Sequence, residues 1–187
     1  MKVILGLGNP GIEYDATRHN AGWWVLDRLA HDWDFGAFTR RGRALMTEGS
    51  RGGVPAVLMK PTSYMNRSGQ ALGFLRELQM FDPSADLLIV VDDAALEVGR
   101  VRFRSEGTPG GHTGLKSVSA ALGSNAYPRL RIGVGQKPEG TDLADWVLSP
   151  MPPEDEDTVV ALLPDLAKGV ETWLTEGIEA AMNRYNR

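Results

Sequence analysis

Four polar residues with no evident core role stand at the ends of separate segments: Asn9 in "GLGNPG", His19 in "TRHNAG", Asn66 in "PTSYMNRSG" and Asp92 in "LLIVVDD". A histidine with a carboxylate partner can serve as a general base on water, because the carboxylate fixes the ring tautomer and stabilises the imidazolium that forms. Asparagine amides add neutral donors for a developing oxyanion and acceptors for substrate N–H groups. Such a set suits hydrolysis of an activated acyl bond without a covalent intermediate. An ester is the easier target, since its alkoxide leaves without the help an amine needs. Taken singly, Asn9 and Asn66 also read as turn residues and Asp92 or Asp93 as a helix cap. The sequence has no cysteine, which excludes thiol catalysis, disulfides and thiolate metal sites. It also lacks the G-x-S-x-G and H-E-x-x-H templates. Of the other histidines, His31 reads as a solvated helix side chain, and His112 either lines a site or hydrogen-bonds its glycine-rich turn.

These residues need a scaffold that brings them together. "KVILGL" reads as a buried strand and "AGWWVLDRLAHDW" as an amphipathic helix offering Trp24, Leu26 and Leu29 to a core. "GAFTRRGRALMTEGSRGGVPAVLMKP" reads as two or three strands turning at "SRGG". After the polar turn that holds Asn66, "QALGFLRELQM" has the pattern of a helix, and "DLLIVVDD" that of a central strand delivering two acids to a site. "VGRVRFRS" alternates, which puts Arg100, Arg102 and Arg104 on one strand face and Val101 and Phe103 on the other. "EGTPGGHTG" is a loop before the helix "LKSVSAALG", and "LRIGVG" is a further strand. The remainder reads as helical, with Pro164 expected to kink or end a helix. Strands alternating with helices, with no repeat or linker, predict one α/β domain over residues 1–187, a mixed and mostly parallel sheet flanked by helices. In such a sheet, residues just past the carboxyl ends of strands meet in one crevice.

Two nucleotide motifs fail on inspection. "GLGNPG" has the G-x-G-x-x-G order, but Pro10 interrupts it, no helix opens on the third glycine, and Asp27 falls in a helix rather than at a strand end. "GGHTGLKS" lacks the Gly-Lys step of a P-loop, with Leu115 in that place. The 187 residues carry 42% hydrophobic and 24% charged side chains, no apolar run long enough for a membrane span, and no signal-peptide pattern, so the expected location is the cytoplasm. The net charge of −4 argues mildly against a nucleic-acid partner, but the charge is unevenly spread. Residues 98–131 hold Arg100, Arg102, Arg104, Lys116, Arg129 and Arg131 against the single acid Glu106, whereas residues 139–187 hold eleven acids against Lys168, Arg184 and Arg187. An acidic total therefore conceals a basic face.

Together, "GLGNPG", "TRHNAG", "KPTSYMNRSG", "VVDD", "GGHTGLKS", "LRIGVG", "WVL" and the closing "AMNRYN" resemble the bacterial peptidyl-tRNA hydrolase family over nearly the whole chain. The resemblance implies a single α/β domain that cleaves the ester between an N-blocked peptide and the terminal ribose of tRNA, as a monomer and without metal or cofactor. Its partner would be peptidyl-tRNA, held at the acceptor end and the phosphate backbone, with no membrane involved. On the matching positions, His19 is implied as the base, Asp92 as its acid partner, and Asn9 as the residue that tells N-blocked from free aminoacyl-tRNA. Tyr14, Tyr64, Asn66, His112 and Thr113 fall where the substrate end is contacted, and Arg104 and Arg131 where tRNA phosphates are gripped. In this reading the glycines of "GLGNPG" let the backbone approach the ligand. The sequence departs from the family pattern at Thr113, where "GHNG" is usual, and at Ala95, where many members have an acid. An alternative on the same fold is an RNA-binding relative with reduced or lost hydrolysis, which Thr113 favours and the His19, Asp92, Asn9 and Asn66 set opposes. Hydrolysis of unblocked aminoacyl-tRNA is disfavoured by Asn9.

Overall fold

The apolar runs assemble into one seven-stranded sheet in the computed structural model, which describes residues 1–187. The elements in chain order are β1 (Lys2–Gly6), α1 (Ala21–Asp32), β2 (Thr39–Arg41), β3 (Ala44–Arg51), β4 (Val54–Pro61), α2 (Pro83–Asp86), β5 (Leu87–Asp93), β6 (Val101–Arg104), α3 (Thr113–Leu122), β7 (Arg129–Gly133), α4 (Leu143–Val147), α5 (Pro153–Glu176) and α6 (Ile178–Tyr185). The sheet order is β2-β3-β4-β1-β5-β7-β6. The four central strands β4, β1, β5 and β7 run parallel, while β2, β3 and β6 pair antiparallel at the two edges. The β3–β4 hairpin turns on Gly52 and Gly53, both at positive φ (56° and 77°), which a two-residue turn of the tight primed type requires.

Alternation along the central strands supplies two separate cores. Ile4, Leu88, Val90, Phe103, Leu130 and Ile132 face α1, α5 and α6. Val3, Leu5, Leu87, Ile89 and Val91 face α3 and the segment Met65–Glu77. Every residue of β5 is buried, as its unbroken apolar run predicts for a strand covered on both faces. At roughly 1.5–3 kcal/mol for each large apolar side chain buried, this strand contributes heavily to stability. Its last two residues, Asp92 and Asp93, are nonetheless acidic.

Two readings of local sequence differ from what forms. Met65–Glu77 is a 3-10 helix interrupted at Arg67, so helical structure begins inside the expected polar turn and never becomes an α-helix. Gly69 explains part of this: its N–H donates to Ser117 Oγ at 2.9 Å, and an added Cβ would lie 2.3 Å from the Ser117 carbonyl. The segment is thus pulled onto α3. Pro164 neither ends nor divides its helix, because α5 runs from Pro153 to Glu176. The carbonyl it leaves without a donor belongs to Val160, which is exposed, so water can satisfy it.

The first two glycines of "GLGNPG" have a cause within the fold. Cβ atoms on Gly6 and Gly8 would meet the Gly22 carbonyl at 2.7 Å and the Trp23 ring at 2.6 Å. They are small because α1 lies directly on them. Gly22 is the counterpart on the helix, where a Cβ would lie 2.5 Å from the Val90 carbonyl and 2.6 Å from that of Leu7. This contact seats the first turn of α1, and with it His19, against the ends of β1 and β5. Gly22→Ala in an exposed helix would gain about 1 kcal/mol. Here the expected outcome is a loss of about 1–3 kcal/mol from overpacking, read as a lower urea midpoint at unchanged slope. A raised midpoint would refute the close-approach argument.

Candidate active site

The loops that leave the carboxyl ends of the parallel strands enclose a cleft of about 1050 Å³. All ten side chains singled out from the sequence line it: Asn9, Tyr14, His19, Tyr64, Asn66, Asp92, Arg104, His112, Thr113 and Arg131. Asp92 lies at its floor with its side chain 1% exposed. His19 Nδ1 is 2.9 Å from Asp92 Oδ1 and 3.0 Å from Oδ2, and His112 Nε2 is 2.9 Å from Oδ1. Burial alone would push the Asp92 carboxyl up, but the two histidines outweigh it and hold the group well below the usual carboxylate range. An ionised Asp92 can only accept, so both rings must donate to it. His112 also accepts the Leu115 N–H on Nδ1 at 3.3 Å, capping α3, which places its one ring proton on Nε2. His19 likewise donates through Nδ1, and its side-chain hydrogen bonds to the protein all run through that atom, which leaves Nε2 without a protein partner on a ring that lines the cleft.

Asn9 is fixed with comparable completeness. Its Oδ1 accepts the Met65 N–H at 2.7 Å, one of the orphan donors at the start of the 3-10 segment. Its own peptide is gripped on both sides by Asn20, which accepts the Asn9 N–H at 2.8 Å and donates to the Asn9 carbonyl at 3.0 Å. Only the Nδ2 group of Asn9 remains for a ligand. Asn66 and Thr113 are exposed at the cleft with no protein hydrogen bond to their side chains. Tyr14 and Tyr64 meet edge-on at 6.3 Å, with Tyr64 60% exposed.

The basic residues form a ladder. In the β6–β7 pairing Arg102 lies opposite Arg131 and Arg104 opposite Arg129. Like charges directly across a sheet destabilise it, so this face carries a standing demand for anions. Arg131 meets part of that demand internally, pairing with Asp93 at 2.5 Å, while Arg104 is exposed. Arg129 is buried with no carboxylate partner. It donates to the Thr108 and Asn125 carbonyls at 3.3 and 2.9 Å and stacks 4.2 Å from the Tyr127 ring. Burial lowers its pKa, Tyr127 opposes this, and Arg131 adds to the lowering.

Sequence reasoning missed Asn20, Arg18 and Lys137, and counted Arg129 in the basic segment without its burial. Lys137 lines the cleft. Arg18 is 2% exposed, stacks 3.5 Å from the Trp146 ring, and donates to the carbonyls of Val134, Trp146, Ser149 and Pro150 and to the Ser149 hydroxyl. It thereby ties the wall that contains α4 to the residue next to His19. The available signal was the run of polar residues, Arg18 to Asn20, directly before an apolar helix. His19, Asp92 and His112 also place donor atoms within 4.8 Å of one another, close enough for a divalent ion. His19 Nδ1, His112 Nε2 and Asp92 Oδ1 are already paired with one another, so an ion taking those atoms would have to break the contacts that orient both rings.

A family model described as "Peptidyl-tRNA hydrolase" matches residues 3–187. The chain belongs to the peptidyl-tRNA hydrolase family. A peptidyl-tRNA hydrolase of Symbiobacterium thermophilum is 48% identical over 188 residues, covering 99% of this chain and 98% of its own. One from Gemmatimonas aurantiaca is 43% identical over 190 residues and covers both chains fully. Among solved structures, the peptidyl-tRNA hydrolase of Acinetobacter baumannii superposes with a TM-score of 0.92 at 29% identity, covering 100% of this chain and 94% of its own. No helix of the chain is long and apolar enough to cross a membrane.

The depressed Asp92 carboxyl has a consequence for this family member's acid stability. Its contribution is complete above the unfolded-state value near 4 and is lost as pH falls through the lower folded value. Asp92→Asn should therefore flatten the fall in urea midpoint below about pH 4. A variant as acid-sensitive as the parent would show that Asp92 is not the group responsible.

Proposed function

We propose that residues 1–187 act as one catalytic unit that hydrolyses the ester of peptidyl-tRNA, with His19 as general base. One observation carries this reading: His19 Nδ1 is tied to a buried, ionised Asp92 while Nε2 stays free in a large cleft. Nε2 takes a proton from water as its oxygen attacks the ester carbonyl. Asp92 stabilises the resulting imidazolium, which then returns the proton to the departing ribose oxygen. The products are a peptide carboxylic acid and tRNA with a free hydroxyl. Asn66 and the Asn9 Nδ2 group supply donors at the acyl end.

The orientation of Asn9 gives a physical basis for choosing blocked substrates. With Oδ1 spent on Met65, Asn9 presents only N–H donors. A blocked amino group brings an acyl carbonyl that can accept from them, whereas a free ammonium has donors alone and is repelled. The tyrosine pair Tyr14 and Tyr64 offers stacking surface for the terminal nucleotide. Arg104, Arg131 and Lys137 supply cations for the backbone phosphates, with phosphate competing against Asp93 for Arg131. A binding-only role would leave the oriented His19 without a purpose, and Thr113 sits at the rim without disturbing that geometry.

Release of tRNA from N-acetyl-aminoacyl-tRNA should greatly exceed release from the unblocked form. His19→Ala should lower turnover of the blocked substrate by about 10²- to 10⁴-fold. Equal cleavage of both substrates would overturn the role given to Asn9, and an active His19→Ala enzyme would overturn the mechanism.

A further inference from the structure

The closing "AMNRYN" motif plays no part in the chemistry above, yet its last asparagine clasps a single backbone residue from both sides, as Asn20 clasps Asn9. Strand β6 is only four residues long and lies at the edge of the sheet. Its outer backbone groups would be unpaired, as edge-strand groups are. They are not. The Phe103 N–H donates to Asn186 Oδ1 at 2.5 Å, and Asn186 Nδ2 donates to the Phe103 carbonyl at 3.2 Å. One step along, the Val101 N–H donates to the Arg187 carbonyl at 2.9 Å and the Arg187 N–H donates to the Val101 carbonyl at 3.1 Å. The carboxamide of Asn186 thus imitates a peptide group, and with the Arg187 main chain it caps the outer edge of β6.

The same carbonyls hold the arginines. Arg104 Nη1 donates to the Phe103 carbonyl at 3.3 Å, and Arg102 Nη1 to the Val101 carbonyl at 3.3 Å. Asn186 therefore shares an acceptor with Arg104, and Arg187 shares one with Arg102. Repulsion across the Arg102–Arg131 and Arg104–Arg129 pairs works to pull β6 off β7. The bonds from residues 186 and 187 oppose that motion from the outer side. On the inner face Phe103 packs edge-on to Tyr185 at 6.4 Å, which locates the residue just before Asn186.

We infer that Asn186 is a positioning residue for tRNA: its carboxamide locks the outer edge of β6 and so holds Arg102 and Arg104 at the spacing that phosphates read. This rests on the proposal that the β6–β7 arginines grip the tRNA backbone. A short shape-matching polar side chain is needed for it, and asparagine alone combines donor, acceptor and peptide-like planarity at that length.

The test compares two substrates in the full-length protein: N-acetyl-aminoacyl-tRNA and the N-acetyl-aminoacyl ester of adenosine, which has no tRNA body. Asn186→Ala should raise KM for the tRNA substrate by about three- to tenfold, the worth of one or two hydrogen bonds. Its kcat on tRNA and its rate on the adenosine ester should stay within about twofold. Asn186→Ser, which keeps a small polar group, serves if the alanine variant does not fold, and should give a smaller rise in KM. Equal losses on both substrates would mean a general fold defect and would overturn the inference, as would no change on either. Arg104→Ala and Arg131→Ala are run beside them across a salt series. If these also leave KM for tRNA and its salt slope unchanged, the arginine grip itself fails. If they alone raise it, only the role of Asn186 fails.

Discussion

A buried carboxylate shared by two imidazoles organises this molecule. Asp92 is the last residue but one of the most deeply covered strand of the sheet, where an ionised group survives only with donors on it. His19 and His112 provide those donors, and each comes from a different neighbourhood: His19 from the segment leading into α1, His112 from the cap of α3. Each ring is therefore oriented by the same charge. The arrangement also works in reverse, since the two elements on opposite faces of the sheet are drawn toward one point. What makes His19 useful, a ring held through Nδ1 so that Nε2 is left without a protein partner, follows from the need to satisfy Asp92 rather than from any feature of His19 alone.

Around that centre the protein keeps polar atoms committed. Asn9 has its peptide held by Asn20 and its side-chain oxygen held by Met65, so a flexible amide becomes a donor with one available direction. Preorganisation of this kind is worth more than the number of bonds suggests, because a donor that need not reorient loses nothing when charge develops. The basic side of the cleft follows the opposite rule. Its arginines face one another across β6 and β7 and are only partly neutralised, so the folded chain carries electrostatic stress that an anionic partner relieves.

Much of this was readable in the sequence because the decisive signals are local. Alternation placed Val101 and Phe103 inward and Arg102 and Arg104 outward, the apolar run of β5 announced a central strand, and four polar residues past strand ends marked a crevice. The less legible features depend on partners far away in the chain. Nothing near Arg18 indicates that it will be buried against residues 134–150, and nothing near Asn186 indicates that it will pair with Phe103. Gly6 and Gly8 were legible as glycines but their close packing was not, since only the crossing of α1 shows what their missing side chains would strike. Pro164 does not end its helix, which runs on for 24 residues with its apolar side in the core.

The grip of Arg18 bears on how such a protein can change over time. Apart from its stacking on Trp146 and its bond to the Ser149 hydroxyl, the Arg18 guanidinium bonds the opposite wall of the cleft through main-chain oxygens. Main-chain oxygens are present whatever side chain the residue carries. Leu143, Val147 and Leu148 on that wall can therefore be exchanged for others without releasing it from its place beside His19. The site has a fixed frame and a replaceable lining, so descendants of this chain can alter what they accommodate while inheriting the same distance between lining and base.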